Sequence, residues 1–370
     1  MVARHVWDVE AVSSSLTSPT ILRRVKRDYA WQTIRKIMLN KSNLLPKIAV
    51  VVAFLFLAFI FIKDRSDFSQ IIANANYRYF PFIVFFSLGA IGLSALGYYF
   101  VAGLFGIKIP FLKLYPVAVF TIIVNNLMAF GGAAGFTLRI FMLKKYQIQA
   151  KRVLASSFFH MYLYTIGITA FIPFSLMYIF SGFTLPQKQH ETLFFAAVGS
   201  SAIFIIVTLI MFVKPFRRGV LFFIGKIIKK FLGKDIKNSL ENFDFVVSEG
   251  IKAAANNLLF MPLLFIITIA DYSSSSLAFY YCFKSLGVKI GHLDVFSGLV
   301  LASSAGILSM IPGGIGIQEA SGAEVFKIMG VPFETAFLSS LLFRVFFFIA
   351  PFAVAVIFFL RYKFEIREGE

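Results

Sequence analysis

Pro312-Gly313-Gly314-Ile315-Gly316-Ile317-Gln318-Glu319 sets a proline, three glycines and a carboxylate directly after the apolar stretch Val295 to Met310. Irregular backbone at membrane depth is tolerated only where protein or trapped water satisfies its N–H and C=O groups. The run therefore predicts a broken helix facing an internal cavity. A second, weaker copy is Gly131-Gly132-Ala133-Ala134-Gly135, preceded by Asn125 and Asn126 and followed by Arg139. Glycine permits positive φ and close backbone approach, so each break should leave free N–H groups and a positive helix end aimed into the cavity. Such an end suits phosphate. Arg139 is placed to grip phosphate oxygens bidentately, and Glu319 to answer a cationic headgroup or the arginine itself. The competing reading of both glycine clusters is close helix packing.

Two more ionisable residues stand in the middle of apolar runs, Asp271 in Ile266 to Ser276 and Arg344 in Leu341 to Phe348. A charge at the bilayer centre costs several kcal/mol unless it is paired or hydrated. Asp271 and Arg344 fall at similar depths, so a buried ion pair locking two helices and a relay for a headgroup are both open. Tyr272 and Ser273 to Ser276 follow Asp271 as a polar stripe, and Asn125 and Asn126 form another. Both stripes line the same cavity or bond across helices. His160, near Tyr162 and Tyr164, reads as a packing or hydrogen-bonding histidine rather than a proton carrier.

Composition explains why these residues are conspicuous. The 370 residues are 59% hydrophobic and only 15% charged, with a mean hydropathy of +0.82, more apolar surface than one soluble core can bury. The chain is a polytopic membrane protein. Its net charge of +18 would suggest nucleic acid in a soluble protein. Here the bases flank apolar segments, as the positive-inside rule expects, and phospholipid headgroups are the anionic neighbours. The one cysteine, Cys282, excludes an intrachain disulfide. No secretory signal opens the chain, and Ile21 to Met38 mixes apolar residues and bases at helical spacing, which fits an amphipathic helix on the inner leaflet or a solvated basic tail.

With roughly 20 apolar residues needed per crossing, spans fall near 45–62, 80–104, 153–180, 193–213, 257–283 and 336–360, and the stretches 115–137 and 293–311 are interrupted. Bases put the tail 1–44, Lys108 and Lys113, the segment 214–256 and the C-terminal 363–370 on the cytosolic side. Both ends of 115–137 are basic, which a re-entrant loop entering from the cytosol resolves, and 293–330 would then enter from the outer face. The expected fold is all-α, with six to eight transmembrane helices, two oppositely oriented re-entrant elements and an inverted repeat. Its halves, 45–213 and 257–362, are joined by a basic amphipathic segment, 214–256, lying along the cytosolic headgroups.

The pattern Asn125-Asn126, Gly131-Gly132, Arg139 and Pro312-Gly313-Gly314-Ile315-Gly316-Ile317-Gln318-Glu319 resembles the lysylphosphatidylglycerol synthase transmembrane region, the flippase-like domain of the multiple peptide resistance factor proteins. The likeness covers roughly 45–362. It implies a membrane domain that moves aminoacylated phosphatidylglycerol between leaflets, and a separate cytosolic domain, expected to be absent here, that makes the lipid from aminoacyl-tRNA. Ile315, Ile317 and Gln318 stand where that family more usually has arginine or leucine.

Residues and resemblance together predict a lipid translocase of the inner membrane, with both termini cytosolic. Its substrate would be an anionic or aminoacylated phospholipid such as lysylphosphatidylglycerol, or a polyprenyl phosphate. The expected site comprises Asn125, Asn126, Gly131, Gly132, Arg139, Asp271, Pro312, Gly313, Gly314, Gly316, Gln318, Glu319 and Arg344. No phosphate-binding Gly-x-x-x-x-Gly-Lys-Ser/Thr loop is present, so ATP is not expected to drive it. Neither a cofactor nor a metal is expected, and with histidines at 5, 160, 190 and 292 no catalytic constellation is visible. The alternative is a non-transporting anchor for a separately encoded lipid aminoacyltransferase, docked through the basic segments.

Overall fold

The structure, a computed structural model, describes residues 73–127, 133–184, 187–232, 237–256, 260–309, 311 and 314–367. The expected span at 45–62, the helix at Ile21 to Met38, and Gly131, Gly132, Pro312 and Gly313 lie outside them. The described residues form helices and turns without a strand. Four helical stretches among them are long and apolar enough to cross a membrane: Tyr77–Leu104, Ala150–Gly182, Phe260–Ser285 and Phe333–Phe358.

Helix α1, Phe80–Leu104, follows a 3-10 turn at Tyr77–Tyr79 and has a proline in its first turn, where a missing N–H costs nothing. It contains no charge, and Gly106 at φ 71° ends the run. In place of the interrupted stretch at 115–137, two short helices pack on each other, α2 at Phe111–Leu127 and α3 at Ala133–Leu143. Helix α4, Ala150–Gly182, covers the span expected at 153–180, and α5, Gln187–Phe212, that at 193–213. The amphipathic α6, Lys214–Leu232, and α7, Lys237–Ala255, occupy the basic segment. The second half holds α8 at Phe260–Ser285, a second short pair, α9 at His292–Leu308 and α10 at Ile317–Ile328, and the long α11 at Phe333–Arg367.

Small residues decide which helices come close. Without water, helix association rests on backbone proximity and hydrogen bonds rather than on the hydrophobic effect. Along α1 and α8, a Cβ added at Gly89 would lie 2.9 Å from Ser274 Oγ, and that hydroxyl donates to the Phe86 carbonyl at 2.9 Å. Helices α9 and α10 meet along Gly298, Ala302 and Gly306, one residue every four. The Phe326 ring fills the space over Gly298, Gly322 faces Ala302, and Gly314 packs on Gly306. Gly314 adopts φ 62°, and a Cβ there would approach Gly306 Cα to 2.9 Å, so backbone geometry and space both demand glycine.

Aromatic rings seal the rest. Phe279, Phe283, Phe326, Phe337 and Phe343 form one buried cluster joining α8, α10 and α11. Phe283 and Phe326 meet edge to face with centroids 4.7 Å apart. Tyr98, Leu114, Val117, Met142, Leu143 and Val153 form a second cluster from α1, α2, α3 and the start of α4.

The α6–α7 hairpin is pinned by one carboxylate. Asp244 accepts from Arg217 Nε at 2.7 Å and Arg218 Nε at 2.9 Å, and Arg217 Nη2 donates to Ser248 Oγ at 2.6 Å. The Arg217 side chain is only 3% exposed. Val247 and Ala254 of α7 join a core with Phe105 and Phe159, so the hairpin is held to the spanning helices. Burial pushes the Asp244 carboxyl up, but the two arginine hydrogen bonds and their charges outweigh it and hold it below its ordinary value. A carboxyl depressed by folding stabilises above its unfolded pKa and loses that contribution as pH falls through the folded value. Acidification below the ordinary carboxylate range, near pH 4, should therefore loosen 214–256, read as faster limited proteolysis there in neutral detergent. Asp244→Asn should reproduce the effect at neutral pH, and equal cleavage of variant and wild type would refute the pin.

Candidate functional site

Each short helix pair surrounds a buried charge. In the first pair Arg139, on α3, is 1% exposed. Its Nε and Nη2 donate to Thr121 Oγ1 on α2 at 3.1 and 2.8 Å, and Nη1 donates to Ser157 Oγ on α4 at 3.1 Å. The guanidinium lies 3.7 Å from the centroid of the Tyr98 ring on α1. The Tyr98 hydroxyl is 3.3 Å from Ser156 Oγ. Four helices thus converge on one cation. Among the described residues no carboxylate pairs with it, so hydroxyl oxygens and a ring face carry the whole task of solvating a full charge.

The break preceding α3 is capped by the chain itself. Asn125 Oδ1 accepts from the Gly135 N–H at 2.8 Å. Thr121 O and Asn125 Oδ1 also crowd the place where a Gly135 side chain would stand. Asn125 therefore bonds across helices, the second of the two roles open to it, and occupies an N–H group expected to face the cavity. Asn126 lies one residue on, within the last turn of α2.

In the second pair Glu319, on α10, is 1% exposed and reaches back to the start of its own helix, its Oε2 accepting from the Gly316 N–H at 2.7 Å. Gly316 reaches this geometry at φ 84°. The other oxygen, Oε1, pairs with Arg344 Nε on α11. Arg344 Nη2 donates to Gln318 Oε1 at 3.0 Å, and Gln318 Nε2 donates to Ser303 Oγ on α9 at 3.2 Å. This chain crosses α9, α10 and α11. It corrects two expectations: the Gly316 N–H is taken by Glu319 rather than left free, and the partner of Arg344 is Glu319, not Asp271. The signal that could have shown the first was a glutamate three residues after the glycine that starts the helix, the position from which it can accept from that glycine's N–H.

Asp271, on α8, is 7% exposed and lies against a small cavity between α1, α4 and α8, bonded to neither network. The polar stripe behind it is divided in use: Ser274 bonds to Phe86 across the helix interface, while the Tyr272 hydroxyl donates to the Tyr164 carbonyl at 3.3 Å. The small-residue seam Gly298, Ala302 and Gly306, the acceptors Thr121 and Ser157, and the ring of Tyr98 were not among the residues expected to matter. Four-residue spacing of small side chains was the available signal for the seam. Nothing local marks Thr121 or Ser157, because their role depends on where α3 packs.

A helical membrane protein with two glycine-flanked short helix pairs, each bearing a buried charge, is the class that this arrangement defines. The chain belongs to the lysylphosphatidylglycerol synthase TM region family, which matches residues 47–355. It is 31% identical over 102 residues to a UPF0104 membrane protein of Methanothermobacter thermautotrophicus, covering 26% of this chain and 30% of that one. It is 26% identical over 92 residues to a phosphatidylglycerol lysyltransferase of Staphylococcus aureus, covering 25% of this chain and 11% of the lysyltransferase. The matched part is thus less than a third of either relative's length.

Removing one member of a buried ion pair strands the other and costs about 3–5 kcal/mol, whereas replacing both is far milder. Glu319→Ala and Arg344→Ala should each lower the melting temperature of the purified protein strongly, and the double variant should recover much of the loss. Additive losses would show that the pair is not coupled.

Proposed function

We propose that the protein is a lipid translocase of the cytoplasmic membrane, moving an anionic or aminoacylated phospholipid between leaflets without itself catalysing a covalent change. Arg139 carries the reading. A guanidinium wholly removed from solvent, solvated by Thr121, Ser157 and the face of Tyr98 and by no carboxylate among the described residues, holds exchangeable neutral partners. Phosphate oxygens would replace those hydroxyls with a charge-assisted, bidentate contact at small geometric cost. The family assignment points the same way, since one relative's name places phosphatidylglycerol among its substrates.

The two short pairs, α2–α3 and α9–α10, are proposed as re-entrant elements of opposite orientation in an inverted repeat, with both termini cytosolic. On this reading 45–362 is the translocating unit, and the hairpin 214–256 rides on the cytosolic headgroups, where Lys226, Lys229 and Lys230 face anionic lipid beside exposed Phe222 and Phe223. Arg139 takes the phosphate. Asn125, Asn126, Gly131 and Gly132 are assigned to the same phosphate site. Pro312, Gly313, Gly314 and Gly316 are assigned to the opposite one, where Gln318, Glu319 and Arg344 form a charge network that an amine-bearing headgroup would enter through Glu319. Asp271 offers a second negative charge.

Reconstitution into liposomes carrying a fluorescent phosphatidylglycerol in one leaflet tests this directly. The protein should abolish lipid sidedness faster than protein-free vesicles do. Arg139→Lys, which keeps the charge but loses the planar fork, should slow transfer about tenfold, the loss of roughly 1.4 kcal/mol of charge-assisted contact. Sidedness unchanged from empty vesicles would leave the anchor for a separate aminoacyltransferase as the better reading. A fully active Arg139→Lys variant would remove the bidentate clamp from the mechanism.

A further inference from the structure

Between α1, α4 and α8 lies a cavity of about 20 Å³ to a water-sized sphere, with Ser94, Gly97, His160, Tyr164, Thr268 and Asp271 in its walls. That is room for about one water, and far too little for a phospholipid headgroup. Asp271 is the acid in this wall. Among the described residues it makes neither an ion pair nor a hydrogen bond, although it is 93% buried by its 7% exposure.

The groups facing Asp271 supply no counter-charge. From α1 come the Ser94 hydroxyl and the bare Gly97, and from α4 come His160 and Tyr164. Tyr164 in the same wall and Tyr272, the neighbour of Asp271 on α8, are phenols that bring no positive charge. Helices α7, α9 and α11, which also pack on α8, place no residue in the cavity wall. His160 Nε2 lies 3.1 Å from the Ser94 carbonyl oxygen, which can only accept, so that nitrogen carries a proton and is already engaged. Thr268 likewise spends its hydroxyl proton on the Leu264 carbonyl at 2.8 Å. The imidazole and the Tyr98 ring meet near perpendicular with centroids 5.6 Å apart, and the Tyr98 face carries Arg139, so the cavity adjoins the proposed phosphate site through two rings.

An ionised carboxylate without a partner in such surroundings costs several kcal/mol, and the neutral acid does not. We propose that Asp271 is a proton-exchange site, holding a proton on its carboxyl in the closed arrangement described and releasing it when α1, α4 and α8 part enough to join the cavity to bulk water. The O–H bond breaks, its electron pair stays on the carboxylate, and the proton leaves on water as hydronium. Proton binding at Asp271 stands independently of lipid transfer. Its use as the driving ion rests on the translocase reading, and names the proton as what couples that site to a gradient.

Infrared difference spectroscopy on the full-length protein in nanodiscs of zwitterionic lipid reads the carboxyl directly. Wild type at about pH 6 to 7, where an ordinary aspartate is ionised, should show a protonated-carboxyl C=O band that Asp271→Asn lacks. Asp271→Asn mimics the neutral acid and should keep the wild-type melting temperature. Should it misfold, Asp271→Glu should keep the band at a shifted frequency. No band assignable to position 271 overturns the proposal. So does a melting temperature raised by Na⁺ relative to choline in wild type but not in Asp271→Asn, which would make the occupant a metal cation. In liposomes an imposed pH gradient should bias net lipid transfer several-fold. Transfer indifferent to the gradient, with the band intact, overturns proton coupling while translocation stands. A band without any lipid transfer overturns translocation and leaves the proton site in place.

Discussion

A charge taken out of water must be given partners, and in hydrocarbon the protein has to supply them all. That constraint orders the described part of this chain. Glu319 and Arg344 meet it with each other, and the pair ties α10 to α11 and, through Gln318 and Ser303, to α9. Arg139 meets it with hydroxyls and a ring, which ties α3 to α1, α2 and α4. Asp244 meets it by collecting two arginines, which fastens the amphipathic hairpin. In these three places an ion fixes the helices as well as packing does.

The two short pairs solve the same problem with opposite chemistry. In one, the charge after the break is positive and finds neutral oxygens. In the other it is negative, caps its own helix through Gly316 and finds an arginine. The second network is closed, with both Glu319 oxygens engaged. The first is held by weaker, replaceable contacts, and that asymmetry makes it the better receptor for an incoming anion.

Much of this was legible in the residues alone. An uncharged run of spanning length dictates α1 residue for residue, and a run whose charges are Asp271 and the terminal Lys284 places α8 to within about three residues, because nothing else in a membrane can satisfy that much backbone. The breaks at Gly131 and Gly313 announced short helices on either side, and a segment interleaving bases with Phe and Ile announced the amphipathic α6. What could not be read was pairing. Arg344 is similar in depth to Asp271 but lies beside Glu319, because α10 rather than α8 presents its acid to that face of α11. Thr121 and Ser157 are unremarkable hydroxyls until tertiary packing brings them to one guanidinium. The reach of Glu319 back to Gly316 and the small residues at 298, 302 and 306 were visible in principle, since both follow from spacing.

The seam between α9 and α10 has a mechanical side as well. Gly306 and Gly314 meet through main-chain atoms, so no rotamer change can loosen them; the joint yields only if whole helices separate. The pair is consequently a splint. Bending is left to its flanks, where Gly287 at φ 76° and Gly330 at φ 86° have open space on the side a Cβ would occupy. Glu319 sits within that splint, while its arginine, on α11, lies beyond the Gly330 flank.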